Sequence, residues 1–138
     1  MKKLFKLLSE NPHIFIDNNY ISNGCFIIKK NSYMPLWLEK INNCKTELFA
    51  QINVPFEKGI KVKFTKNIIL DSSGIYKMEI TDRINIFYYN KKYLDIILES
   101  NNISISECDL YFCGDLQGTP FLKIFSRGNF LGLIVAIV

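Results

Sequence analysis

The chain has one histidine, His13, directly after Pro12 at the head of a β-rich run. A nucleophilic triad or a multi-histidine metal site would therefore have only that ring to use. A strand-edge histidine bonded to a backbone group accounts for it as well. Two carboxylate pairs lie close in sequence, Asp95 with Glu99 and Glu107 with Asp109. Acid–base work or Mg²⁺ binding needs such a pair to converge in a cleft, usually with further ligands. One helical turn separates Asp95 from Glu99, which places both on the solvent side of a helix. Cys25, Cys44, Cys108 and Cys113 lack the paired spacing of a zinc site, and each lies in or beside an apolar segment. They read as free thiols packed as small hydrophobes. The glycines form neither a phosphate-binding loop nor a dinucleotide fingerprint, and turns explain them. The expectation is a non-enzymatic chain with no catalytic residue, no metal site and no cofactor.

The lysines are more informative. Lys2, Lys3 and Lys6 share one short helical pattern; Lys29 and Lys30 end a strand; Lys58, Lys61, Lys63 and Lys66 line or flank another; Lys91 and Lys92 open a second helix. If these elements share a face, Lys2, Lys3, Lys6, Lys61, Lys63, Lys66, Lys91 and Lys92 form a surface that contacts phosphates without reading sequence. Arg83 and Arg127 are the only arginines, which argues against base-specific readout. Exposed lysines are also what an AT-rich genome places on any surface. Tyr88, Tyr89, Tyr93, Tyr111 and Phe112 could stack unpaired bases, but their strand and helix periodicity favours core packing.

The elements that must position these residues follow from hydrophobic periodicity. Leu4, Leu7 and Leu8 recur at helical spacing, and Pro12 ends the helix predicted over 2–10. HIFID and YISNGCFIIKK read as a hairpin with turns at Asn18–Asn19 and Asn23–Gly24. A short helix is predicted over 31–45, opening at Pro35, and a strand over 47–54. GIKVKFTKNIIL alternates, with Ile60, Val62 and Phe64 on one face and Lys61, Lys63 and Thr65 on the other. The Asp71–Gly74 turn returns it into IYKMEI, with Tyr76, Met78 and Ile80 inward. INIFYY adds a third strand. Asn90 then caps a helix over KKYLDIILES that buries Tyr93, Leu94, Ile97 and Leu98. ISISE, LYFCGD, PFLKIFS and NFLGLIVAIV are expected as four closing strands.

These elements predict one α+β domain over residues 1–138, mainly antiparallel sheet with two or three short helices. Apolar residues at 49% suffice for a core, and 22% charged residues is ordinary for a folded domain. No run reaches the ~20 apolar residues of a spanning helix, and MKKLFKLLSE meets polar residues before any export-signal core forms. The expectation is a soluble, cytoplasmic protein with no membrane partner. The net charge of +4 permits nucleic-acid contact without demanding it. The weight of Ile, Asn, Lys, Phe and Tyr points to an AT-rich genome, such as that of a low-GC bacterium, its phage or its plasmids.

From Ile84 onward the order INIFYYNKKYLDIILES, ISISECDLYFC, TPFLKIFS, GLIVAIV resembles the last half-domain of the bacterial sliding clamp, the DNA polymerase processivity ring. Asn90, Tyr93 and Leu94 match its Asn-x-x-Tyr-Leu helix start, and Thr119, Pro120, Phe121 and Leu122 match its later Pro-hydrophobic segment. A clamp chain carries three such domains and is acidic overall; this one has room for one and is mildly basic. The resemblance implies a clamp-like fold, contact with DNA or a replication-linked protein, and homo-oligomerisation if a ring is to close. The expected function is that of a phage- or mobile-element-type binding protein. The other reading is an inhibitor or adaptor that neutralises a host factor, as an anti-defence protein would.

Overall fold

The computed structural model describes residues 1–10, 14–34, 59–116 and 118–137. His13, Cys44, Lys58, the helix predicted to open at Pro35 and the strand predicted over 47–54 lie outside the described residues. The fold is α+β, as the periodicity predicts. In chain order the elements are α1 (Lys2–Glu10), β1 (Phe15–Ile16), β2 (Tyr20–Ser22), β3 (Phe26–Lys29), β4 (Ile60–Leu70), β5 (Tyr76–Thr81), β6 (Ile86–Asn90), α2 (Lys91–Asn101), β7 (Asp109–Leu116), β8 (Thr119–Ser126) and β9 (Asn129–Ile134). Among the described residues nine strands form one sheet in the order β1-β2-β3-β9-β8-β7-β4-β5-β6, with antiparallel pairing throughout.

A helix followed by a three-strand meander occurs twice, as α1-β1-β2-β3 and as α2-β7-β8-β9. The two meanders join where β3 pairs with β9. The two helices pack on each other, and α2 also packs on β5 and β9. Past β9 the chain reaches the far edge of the sheet, where the Ile137 N–H donates to the Tyr88 carbonyl at 2.8 Å. The sheet thus curls round α2. That curl explains why α2 is buried over a wider arc than an amphipathic surface helix: Leu94, Ile96, Ile97 and Ser100 are all buried, and Tyr93 and Leu98 are partly so. One apolar cluster joins Leu4 and Leu7 of α1, Leu94, Ile96 and Ile97 of α2, and the inner face of the strands, including Ile28, Val62, Met78, Ile80, Tyr89, Leu110, Leu122, Ile124 and Ile134.

Sequence spacing sets the helix ends. Asn90 caps α2, its Oδ1 accepting from the Lys92 N–H at 3.0 Å. Asn102 closes it in the left-handed region at φ 53°. The ISISE segment is a 3₁₀ turn over Ile105–Glu107 and not the strand its alternation predicts. Local bonding wins there. The Ser104 hydroxyl is 2.8 Å from that of Ser106, and its carbonyl accepts from the Glu107 N–H at 3.1 Å, so these backbone groups are satisfied without a neighbouring strand.

A lysine-rimmed groove as candidate nucleic-acid interface

The site is assembled from three elements that are far apart in the sequence. β4 and β5 form a long hairpin whose root lies under the helices and whose tip extends past them. Registry defines its inner face. Ile68 pairs with Met78 and Leu70 with Tyr76, and Met78 is fully buried in the core, so Ile68, Leu70 and Tyr76 share the inner face. A bulge between Phe64 and Ile68, where Lys66 takes φ 73°, keeps the distal residues in phase with the core-facing ones. Beyond the helices nothing among the described residues covers this face. Ile68 is 43% exposed, Leu70 56% and Tyr76 55%. The inward phase predicted for Tyr76 is right, but the helix above it stops short.

Asp71 fixes the hairpin tip. Its Oδ1 accepts from the Ser73 N–H at 2.9 Å, the Ser73 hydroxyl at 2.7 Å and the Ile75 N–H at 3.0 Å. Gly74 supplies the left-handed residue at φ 85°. The Ser73 hydroxyl and the Ile75 and Ser73 N–H groups, with the nearby Lys77 ammonium, hold the Asp71 carboxyl down at about 2. Lys77 Nζ stands 3.5 Å from Asp71 Oδ2.

The other walls are the helices. Leu4 and Leu7 bury one face of α1, which turns Lys3 and Lys6 outward. The backbone N–H of Lys3 donates to Glu99 Oε1 at 3.0 Å, tying the start of α1 to the last turns of α2. Together with the hairpin, the helices enclose a groove of about 790 Å³ lined by Lys3, Lys6, Lys91, Lys92, Ile68 and Tyr76, among others. Among the described residues Glu10 and Asp95 are its carboxylates, so four ammonium groups face two. Asp95 is already engaged, since Lys91 Nζ lies 2.8 Å from its Oδ2 and 3.0 Å from its Oδ1. The amino-terminal end of α2, at Asn90 to Lys92, opens into the same groove and adds the positive end of a helix dipole.

The lysines singled out in the sequence thus divide. Lys3, Lys6, Lys91 and Lys92 come together. Lys2 is exposed on α1 but does not line the groove. Lys61 and Lys63 flank the buried Val62, so they emerge from the opposite face of the sheet, and Lys61 Nζ is 3.6 Å from Asp109 Oδ1. Lys66 sits exposed at the bulge. The condition that the helices and the lysine strand share a face is met by the helices and not by Lys61 and Lys63.

Of the aromatics read as core, Tyr89 and Phe112 lie in it and Tyr93 packs against it, whereas Tyr88 and Tyr111 are half-buried outside it, the Tyr88 hydroxyl donating to Glu79 Oε2 at 3.4 Å. Tyr89 is fully buried, its hydroxyl donating to the Pro120 carbonyl at 2.8 Å, and burial pushes its phenol well above the usual range. Tyr93 stacks on Phe26 at 4.6 Å and accepts from Asn23 Nδ2 at 3.0 Å. Tyr111 and Phe112 pack edge-on against Phe125 and Phe87. Sequence reasoning missed Tyr76 as an exposed aromatic. The signal was available: IKVKFTKNIIL is longer than its partner strand, and the excess must project past whatever covers its root.

Among the described residues no group of three or more His, Cys, Asp or Glu side chains could hold a metal ion, and no helix is long and apolar enough to cross a membrane. Cys108 and Cys113 are held protonated by burial, which raises Cys108 to about 11. The chain matches no protein-family model, no curated protein and no solved structure.

Proposed function

We propose that this chain is a non-enzymatic, cytoplasmic binding protein of phage or mobile-element type, clamp-like in build, that grips nucleic-acid phosphates in the groove between α1, α2 and the β4–β5 hairpin. One observation carries the reading: Lys3 and Lys6 from one helix and Lys91 and Lys92 from the other line a single groove, although the sequence keeps them far apart. Phosphate contacts of this kind supply affinity without base readout. The lysine-dominated surface, with point charges in place of planar arginine forks, suits that role. The recurrence of a helix and three-strand meander, with the helices packed together, supports the clamp-like reading.

Fluorescence anisotropy with a labelled oligonucleotide across a salt series tests the groove. Phosphate contact requires log affinity to fall linearly with log salt, by roughly 0.7 to 0.9 per phosphate neutralised. A flat line, or no binding at low salt, contradicts it. A ring is a separate claim, because one-module subunits close a ring only by self-assembly. Gel filtration with light scattering that returns a monomer removes the ring and leaves the groove. A stoichiometric protein captured from a low-GC host, with no nucleic-acid affinity, would favour the host-factor inhibitor instead.

A further inference from the structure

The floor of the groove is of a different chemistry from its rim. A duplex backbone offers phosphates and sugars, and these would satisfy Lys3, Lys6 and Lys92 while leaving Ile68 and Tyr76 facing water. Such an apolar shelf beside a cluster of ammonium groups on one wall costs solvation unless something apolar lies on it. An unpaired nucleotide supplies both halves: a phosphate for the rim and a flat, sequence-independent π-face for the floor. Tyr76 is placed for stacking. It stands at the groove wall and is 55% exposed. Its backbone is braced through Ile75, whose N–H is bonded to Asp71. The volume of about 790 Å³ lies within the range of pockets that enclose small organic groups.

We propose that the groove takes a single-stranded segment of nucleic acid, with phosphates on Lys3, Lys6 and Lys92 and a base stacked on Tyr76 against Ile68. This rests on the nucleic-acid reading above and adds the strand state of the ligand. The test uses the full chain and three labelled probes of equal length at one salt concentration: a deoxythymidine oligomer, an abasic deoxyribose-phosphate strand and a duplex. The expected order has the deoxythymidine oligomer bound most tightly. Tyr76→Leu, which keeps the apolar area and removes the ring, should weaken that probe roughly 5- to 150-fold, as loss of one base–aromatic stack does. Its effect on the abasic strand should be smaller, and Tyr76→Phe should restore most of the loss. Equal binding of all three probes by the unaltered chain, or an unchanged affinity in Tyr76→Leu, overturns the single-strand inference and leaves the charge-based reading standing. Failure of all three probes to bind overturns the nucleic-acid reading itself.

Discussion

Glu99 of α2 accepts a hydrogen bond at 3.0 Å from the backbone N–H of Lys3 on α1, and the same Oε1 lies 2.7 Å from the amino-terminal ammonium of Met1. This clasp sets where α1 begins against α2, and therefore where Lys3 and Lys6 stand relative to Lys91 and Lys92. The ammonium and the Lys3 N–H together hold the Glu99 carboxyl below its usual range. The carboxyl is about one-third exposed, so its contribution is that of a screened surface pair. Glu99→Gln should lower stability by about 1 kcal/mol in urea unfolding and weaken nucleic-acid binding, although the removed charge is negative. A gain in affinity would mean that repulsion, and not positioning, is what Glu99 contributes.

Acid should loosen the hairpin tip before the core. The Asp71 carboxyl is at about 2 in the folded chain, against about 3.9 unfolded, so the folded state prefers it ionised. A depressed folded value means that the contribution is whole above the unfolded value and is lost as pH falls through about 2. Amide shifts of Ser73 and Ile75 followed from pH 5 to pH 2 should move together with an apparent midpoint near the lower value. Asp71→Asn should abolish that titration. A midpoint near 4 would show that the three bonds at the tip do not favour the ionised carboxylate.

The seat of α2 on the sheet depends on Gly132. A Cβ built there would stand 2.6 Å from the Ile27 carbonyl oxygen and 2.7 Å from Ile97 Cδ1. Backbone cannot yield cheaply, and Ile97 is fully buried. Gly132→Ala should therefore destabilise the fold by roughly 1–3 kcal/mol, the usual cost of overpacking. Ile97→Val in the same chain should recover part of it. Thermal or urea unfolding reads both; a neutral Gly132→Ala would place α2 farther from β9 than this packing requires.

Much of this architecture was legible in the sequence because local signals and tertiary demands agree there. The helix over 2–10, the Asn90 cap, the Asp71–Gly74 turn and the alternation of IYKMEI appear as read, since each combines apolar phase with a boundary residue that has a physical role. ISISE misled because period-2 alternation in a short serine-rich stretch is also what a 3₁₀ turn bonded through Ser104 produces. The order of the strands was not legible at all. Pairing β3 with β9 and β4 with β7 joins segments of high sequence separation, and no short-range pattern encodes which distant edges meet. The site was half legible. Residue type marked the lysines, but only the curl of the sheet decides that Lys3, Lys6, Lys91 and Lys92 face one groove while Lys61 and Lys63 leave by the other side.

That division of the lysines gives the most direct test. One variant carries Lys6→Glu and Lys92→Glu, one lysine from each helix; a second carries Lys61→Glu and Lys63→Glu as a charge-matched control on the opposite face. Lys91 is left in place because its ammonium is paired with Asp95. With both variants confirmed folded by their unfolding transitions, oligonucleotide affinity is measured as a function of salt. The groove variant should lose at least tenfold in affinity and roughly 0.7 of slope per lysine reversed, while the control keeps both. Equal losses in the two variants, or none in the first, would contradict the groove as the place where this protein holds its ligand.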